Sequence, residues 1–119
     1  EPPVAALAAE GGDPVTGQLG TYIWGDGGSD APWLPGSPTR VGAGELLTVT
    51  FEPDVGIAAW RARYVPAASA DPTGATALGS GSGSPSFPAP AEGPWTVEVA
   101  VDFAGGQGTA SYFWRLDVE

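Results

Sequence analysis

Gly93-Pro94-Trp95-Thr96-Val97-Glu98-Val99-Ala100-Val101-Asp102-Phe103 is the stretch whose reading decides the fold. Taken with a period of two, Trp95, Val97, Val99, Val101 and Phe103 fall on one side, and Thr96, Glu98, Ala100 and Asp102 on the other. That alternation is the signature of a half-buried β-strand. After Gly105-Gly106-Gln107-Gly108 it resumes, with Tyr112, Trp114, Leu116 and Val118 on one face and Ser111, Arg115 and Asp117 among their neighbours. Two such runs joined by a short glycine-rich turn predict a hairpin of strands 94–103 and 109–118.

The same period recurs upstream. Residues 45–51 place Leu47, Val49 and Phe51 together against Thr48 and Thr50, and their β-branched content predicts a strand. Residues 57–65 put Trp60, Ala62 and Tyr64 on one side and Arg61 and Arg63 on the other, where the arginines would meet carboxylates across the sheet. Trp60 is the candidate for the central core indole. Gln18–Trp24 reads as a strand with bulky residues on both faces, and shorter strands are expected at 39–41, 75–78 and Ser86–Pro88.

Two segments read differently. Residues 25–38, dense in Gly and Pro, are expected to hold no regular structure. Residues 66–91 contain Gly79-Ser80-Gly81-Ser82-Gly83-Ser84, the composition of a flexible linker; pairing of parts of this segment at a sheet edge is the expected resolution. No helical period of useful length is present. One-faced strands in a chain of 119 residues must stack sheet on sheet. The expected fold is therefore all-β, an antiparallel and loop-rich immunoglobulin-like β-sandwich of about seven strands. A small closed barrel is the alternative. Residues 15–119 form the single domain, and residues 1–14 serve as an N-terminal tether or an edge strand.

Fourteen acidic residues face 4 arginines and no lysine, for a formal net charge of −10. Such a surface repels phosphate backbones and anionic lipid heads, so neither nucleic acid nor a membrane is an expected partner. No apolar run approaches the roughly 20 residues of a membrane helix. The absence of Cys and His removes thiolate chemistry and the commonest general base and transition-metal ligands. Only Asp and Glu remain for acid–base work, and no spacing among them selects a glycosidase pair. No phosphate loop, nucleophile elbow or zinc motif is present. The expectation is a protein that is not an enzyme and carries no cofactor.

Calcium is the one metal to weigh. Asp26 and Asp30, within Asp26-Gly27-Gly28-Ser29-Asp30, offer the hard oxygen ligands that calcium takes. Asp-Gly loops are also ordinary turn chemistry, the preferred reading. The candidate binding residues are Tyr22, Trp24 and Trp33. Their rings could stack on sugars or anchor a protein, or they could cap the open end of the sandwich as core, which is again preferred.

Gly93-Pro94-Trp95-Thr96-Val97-Glu98-Val99 followed by Tyr112-Phe113-Trp114-Arg115-Leu116 resembles the closing hairpin of bacterial extracytoplasmic immunoglobulin-like modules. Tyr22-Ile23-Trp24 with Ala31-Pro32-Trp33-Leu34-Pro35-Gly36 is similar to uncharacterised secreted or lipoprotein domains of GC-rich bacteria. Some of those carry Cys beside the first aromatic pair, where this chain has Ile23. The resemblance implies a fold and a compartment, extracellular or anchored at the cell surface, and no activity. The start at Glu1 rather than Met agrees with a processed chain. The expected role is a non-catalytic accessory or interaction module whose partner is a protein or glycan at the cell surface. The alternatives are a subunit of an extracellular filament, assembled when Val4–Ala9 pairs with a neighbour's open sheet edge, and a carbohydrate-binding module using the loop aromatics.

Overall fold

Period-two alternation becomes backbone pairing along most of the chain. The structure is a computed structural model that describes residues 2–9, 12–24, 27–29, 38–52, 56–68 and 74–119. In chain order its strands are β1 (Val4–Ala9), β2 (Val15–Thr16), β3 (Gln18–Trp24), β4 (Gly27–Ser29), β5 (Pro38–Val41) and β6 (Leu46–Glu52). There follow β7 (Ile57–Pro66), β8 (Thr76–Gly81), β9 (Ser86–Pro88), β10 (Gly93–Phe103) and β11 (Gly108–Val118), with one 3₁₀ turn at Ala104–Gly106.

The larger sheet runs β4-β3-β11-β10-β7-β8. β10 and β11 pair in unbroken antiparallel register from Gly93↔Val118 to Phe103↔Gly108. The free side of β11 is shared: β3 pairs antiparallel with its first half, and β5 pairs parallel with Arg115 to Val118. The smaller sheet runs β2-β1-β6-β9 and is antiparallel. The sheets stack so that Ala5, Leu7, Leu47, Val49 and Phe87 of the smaller meet Val97, Val99, Tyr112, Trp114 and Leu116 of the larger. Full burial of a side chain of this size stabilises by about 1.5–3 kcal/mol. The expected all-β sandwich is what forms.

It holds more strands than the expected seven or so, because several very short segments also pair. Residues 25–38 were expected to hold no regular structure, yet Gly27–Ser29 pairs with β3 and Pro38 opens β5. Three residues of backbone pairing require no side-chain alternation, so composition conceals them. Val4–Ala9 is a strand, paired with β6 from Val4↔Glu52 to Ala9↔Leu47. The apparent linker is half strand as well. Gly79 and Gly81 of β8 lie over the Trp60 indole, where an added Cβ would come within 3.4 and 3.3 Å of its ring atoms. Trp60 is buried there against Phe87, ring centroids 5.9 Å apart, and closes the β8 margin of the core.

Two rings of β11 reach across to the N-terminal segment. The Tyr112 hydroxyl donates to the Pro3 carbonyl at 2.7 Å, and Trp114 Nε1 donates to the Val15 carbonyl at 2.8 Å. Buried carbonyls need such donors, and leaving one unpaired costs about 1–3 kcal/mol. Burial also raises the Tyr112 phenol well above its ordinary value of 10.0.

Close backbone approach restricts Gly20. It sits where the β3–β11 register shifts between Ala110 and Tyr112, and a Cβ there would fall 2.2 Å from a ring carbon of Phe113, itself only 4% exposed. Gly20→Ala is expected to destabilise the protein by about 1–3 kcal/mol in urea melts, since the buried ring has no room to yield. Tyr112→Phe is expected to cost roughly 1 kcal/mol at neutral pH. A phenol whose folded pKa is raised contributes stability that is complete below pH 10 and is lost as the pH climbs towards the folded value. Wild-type stability should therefore fall above about pH 10, by up to roughly 1.4 kcal/mol per pH unit, and Tyr112→Phe should lack that component.

Candidate functional site

The outer face of the larger sheet departs from a plain solvated surface. Thr96 and Glu98, on the polar side of β10, are 0% and 7% exposed, and Val65 of β7 is 1% exposed. Phe113 joins them, out of phase with Tyr112 and Trp114. Its place in an aromatic triplet was the available signal that β11 is covered on both faces. Thr96 and Arg115 stand opposite one another in register, and Thr96 Oγ1 and Arg115 Nε are buried without a hydrogen-bond partner among the described residues.

Next along this face, Glu98 lies opposite both Arg63 and Phe113. Arg63 Nε donates to Glu98 Oε1, the cross-strand pair expected of an arginine on β7. With Glu98 nearly buried and Arg63 partly so, this ion pair is held more firmly than a fully exposed one. Arg40 is occupied by Glu119 at 3.5 Å. Arg61, two residues from Arg63, has no ion-pair partner among the described residues.

The register explains what surrounds Arg61. Its neighbours across the sheet are Ser80 on β8 and Ala100 on β10, and beyond Ala100 stands Ser111 on β11. The small residues on either side of Arg61 leave a trough running across the strands. Four strands span about 14 Å at normal strand spacing. The Arg63–Glu98 pair forms one wall, and Ala59, Asp102 and Thr109 form the other. Two hollows lie along it, of about 420 and 390 Å³, with Arg61 and Ala100 lining both. Arg61, Ser80, Asp102 and Thr109 are exposed in it.

Its carboxylates are poorly placed for glycoside hydrolysis. Glu98 and Asp102 are four residues apart on one strand, about 13 Å by strand rise, whereas glycosidase pairs stand roughly 5–9.5 Å apart. Among the described residues, no group of three or more His, Cys, Asp or Glu side chains is disposed to hold a metal ion.

The sequence-expected aromatics lie elsewhere. Tyr22 and Trp24 are half-buried and pack against the core from the inner face of β3, and Trp24 meets Phe103 edge-on at 5.1 Å. Trp33, Asp26 and Asp30 fall outside the described residues, so the three-ring group and the calcium loop have no geometry here. The trough was missed because Ala100 and Ser111 look unremarkable along the chain. Only the register aligns them with Arg61.

Calcium at Asp26 and Asp30 is decided by a thermal melt with and without EDTA. The expected result is an unchanged midpoint; a fall of several degrees on chelation would reveal a bound ion.

No protein-family model matches the chain, and no curated protein matches it. Among solved structures it is similar to a polysaccharide monooxygenase, CBM33, studied by X-ray photoreduction, with a TM-score of 0.57 and 10% identity. The match covers 70% of this chain and 60% of that one, so the chain spans somewhat less than two thirds of that structure's length. At this identity the likeness is one of fold: the chain is a β-sandwich of a kind also found in a polysaccharide-acting protein.

Proposed function

We propose that the chain is a non-catalytic, extracytoplasmic, immunoglobulin-like binding module whose working surface is the Arg61 trough, and that its ligand is an extended polysaccharide. The observation that carries this reading is a solvent-open trough crossing several strands, with a guanidinium at its centre that has no ion-pair partner among the described residues, and hydroxyl and carboxylate groups along it. An elongated ligand fits an elongated trough, and sugar hydroxyls both donate and accept hydrogen bonds. The fold likeness to a polysaccharide monooxygenase supports the same ligand class. A non-catalytic role agrees with the wide carboxylate spacing and with a chain that lacks His, Cys and Lys. Extracytoplasmic placement rests on the resemblance of the closing hairpin. The filament alternative gains nothing from β1, which is paired with β6 of its own chain.

Affinity gel electrophoresis through soluble polysaccharides tests the reading. Wild-type protein is expected to be retarded by at least one polymer, and Arg61→Ala to lose that retardation roughly tenfold or more, a charged hydrogen-bonding group having been removed. No retardation by any polymer, or equal retardation of both proteins, would overturn it.

A further inference from the structure

The trough carries a finer statement, which rests on the polysaccharide reading. We infer that it selects uncharged sugar residues and holds them through hydrogen bonds alone, with Arg61 donating and Asp102 accepting, and with no stacked aromatic ring.

Three observations lead there. First, charge is balanced locally though not globally. The molecule has 14 acidic residues against 4 arginines, yet among the described residues the trough and its walls hold two of each, Arg61 and Arg63 with Glu98 and Asp102. A uronate or sulfate would satisfy Arg61 while facing Asp102 and the field of a −10 molecule. An uncharged polyol meets no such opposition.

Second, donors and acceptors are interleaved. Asp102 is two residues beyond Ala100, the residue opposite Arg61, so the two form a diagonal pair about 7–8 Å apart at the backbone. No ion pair joins them among the described residues, which leaves the guanidinium donors and the carboxylate oxygens free to engage a ligand. A hydroxyl can accept from the first and donate to the second; a carboxylate or sulfate can do only one of these.

Third, among the described residues no ring lies open in the trough. Phe113 is the aromatic residue of the adjoining row and is 4% exposed, while Tyr22, Trp24, Trp95 and Tyr64 pack against the core from the opposite face. The firm Arg63–Glu98 pair beside the trough keeps both groups from the ligand, so they act as a wall.

The test uses the full chain in affinity electrophoresis against hydroxyethyl cellulose, amylose and xylan on one side and polygalacturonate on the other, at 50 and 300 mM salt. Wild type, Arg61→Ala, Asp102→Asn and Trp24→Ala are compared after thermal melts confirm folding. Retardation is expected from at least one neutral polymer and not from polygalacturonate, with little change between the salts. Arg61→Ala and Asp102→Asn should each weaken it roughly tenfold or more, and Trp24→Ala, if folded, should not. Retardation by polygalacturonate that Arg61→Ala abolishes and Asp102→Asn strengthens would overturn the neutral selectivity while leaving the polysaccharide reading standing. Neutral-polymer binding lost in Trp24→Ala alone would move the ligand to the loop aromatics and overturn the trough. Binding to none of the polymers would overturn both.

Discussion

The sandwich depends on two rings that carry hydrogen bonds from one sheet to the other. Tyr112 and Trp114 rise from the middle of the larger sheet, fill the gap of about 10 Å between the layers, and arrive with polar tips that must find acceptors. The acceptors are the Pro3 and Val15 carbonyls, which flank β1. A hydrophobic core alone would tolerate small slides of one sheet over the other. Directional bonds from buried rings do not, so they set where β1 lies and which of its residues, Ala5 and Leu7, enter the core. Phe51 is wedged edge-on against Tyr112 and Phe103, at 5.7 and 5.9 Å, and helps hold the first of these rings in place.

With the interior filled in this way, function is left to surfaces. Tyr22 and Trp24 would make an attractive sugar platform if they faced water, but the parity of β3 turns them towards the core. The outer face of the larger sheet is left. There, β10 and β11 have partners on both sides, and a surface built from central strands is held flat and firm. The Arg61 trough inherits that rigidity, because its floor and walls stand on strands rather than loops.

Most of the architecture was legible in the sequence because alternation is a local property. Strands β6, β7, β10 and β11 announce themselves through side chains that recur every second residue. Only the start of β8, at 75–78, does so; its glycines lie over a tryptophan some 20 residues away, Trp60, whose indole an added Cβ at Gly79 or Gly81 would meet at 3.4 or 3.3 Å. Read alone, those glycines mean flexibility; read with their partner strand, they mean a flat ring. The buried state of Thr96 and Glu98 was hidden for a similar reason, as polarity indicates which way a residue would prefer to face and not what covers it. The trough is the extreme case. Ser80, Arg61, Ala100 and Ser111 come from four strands, and only pairing brings them into one row.

The crowded position of β11 has a consequence for timing. This strand is bonded to β10 on one side and to both β3 and β5 on the other, and it anchors the segment around Pro3 as well. Loops of up to about a hundred residues must close before those contacts reward the chain, the situation in which folding is slow. Until β11 is in place, β3 and β5 lack the strand that holds them in the larger sheet. Completion of the larger sheet is thus a late event in folding, since one strand must be seated before three others are held.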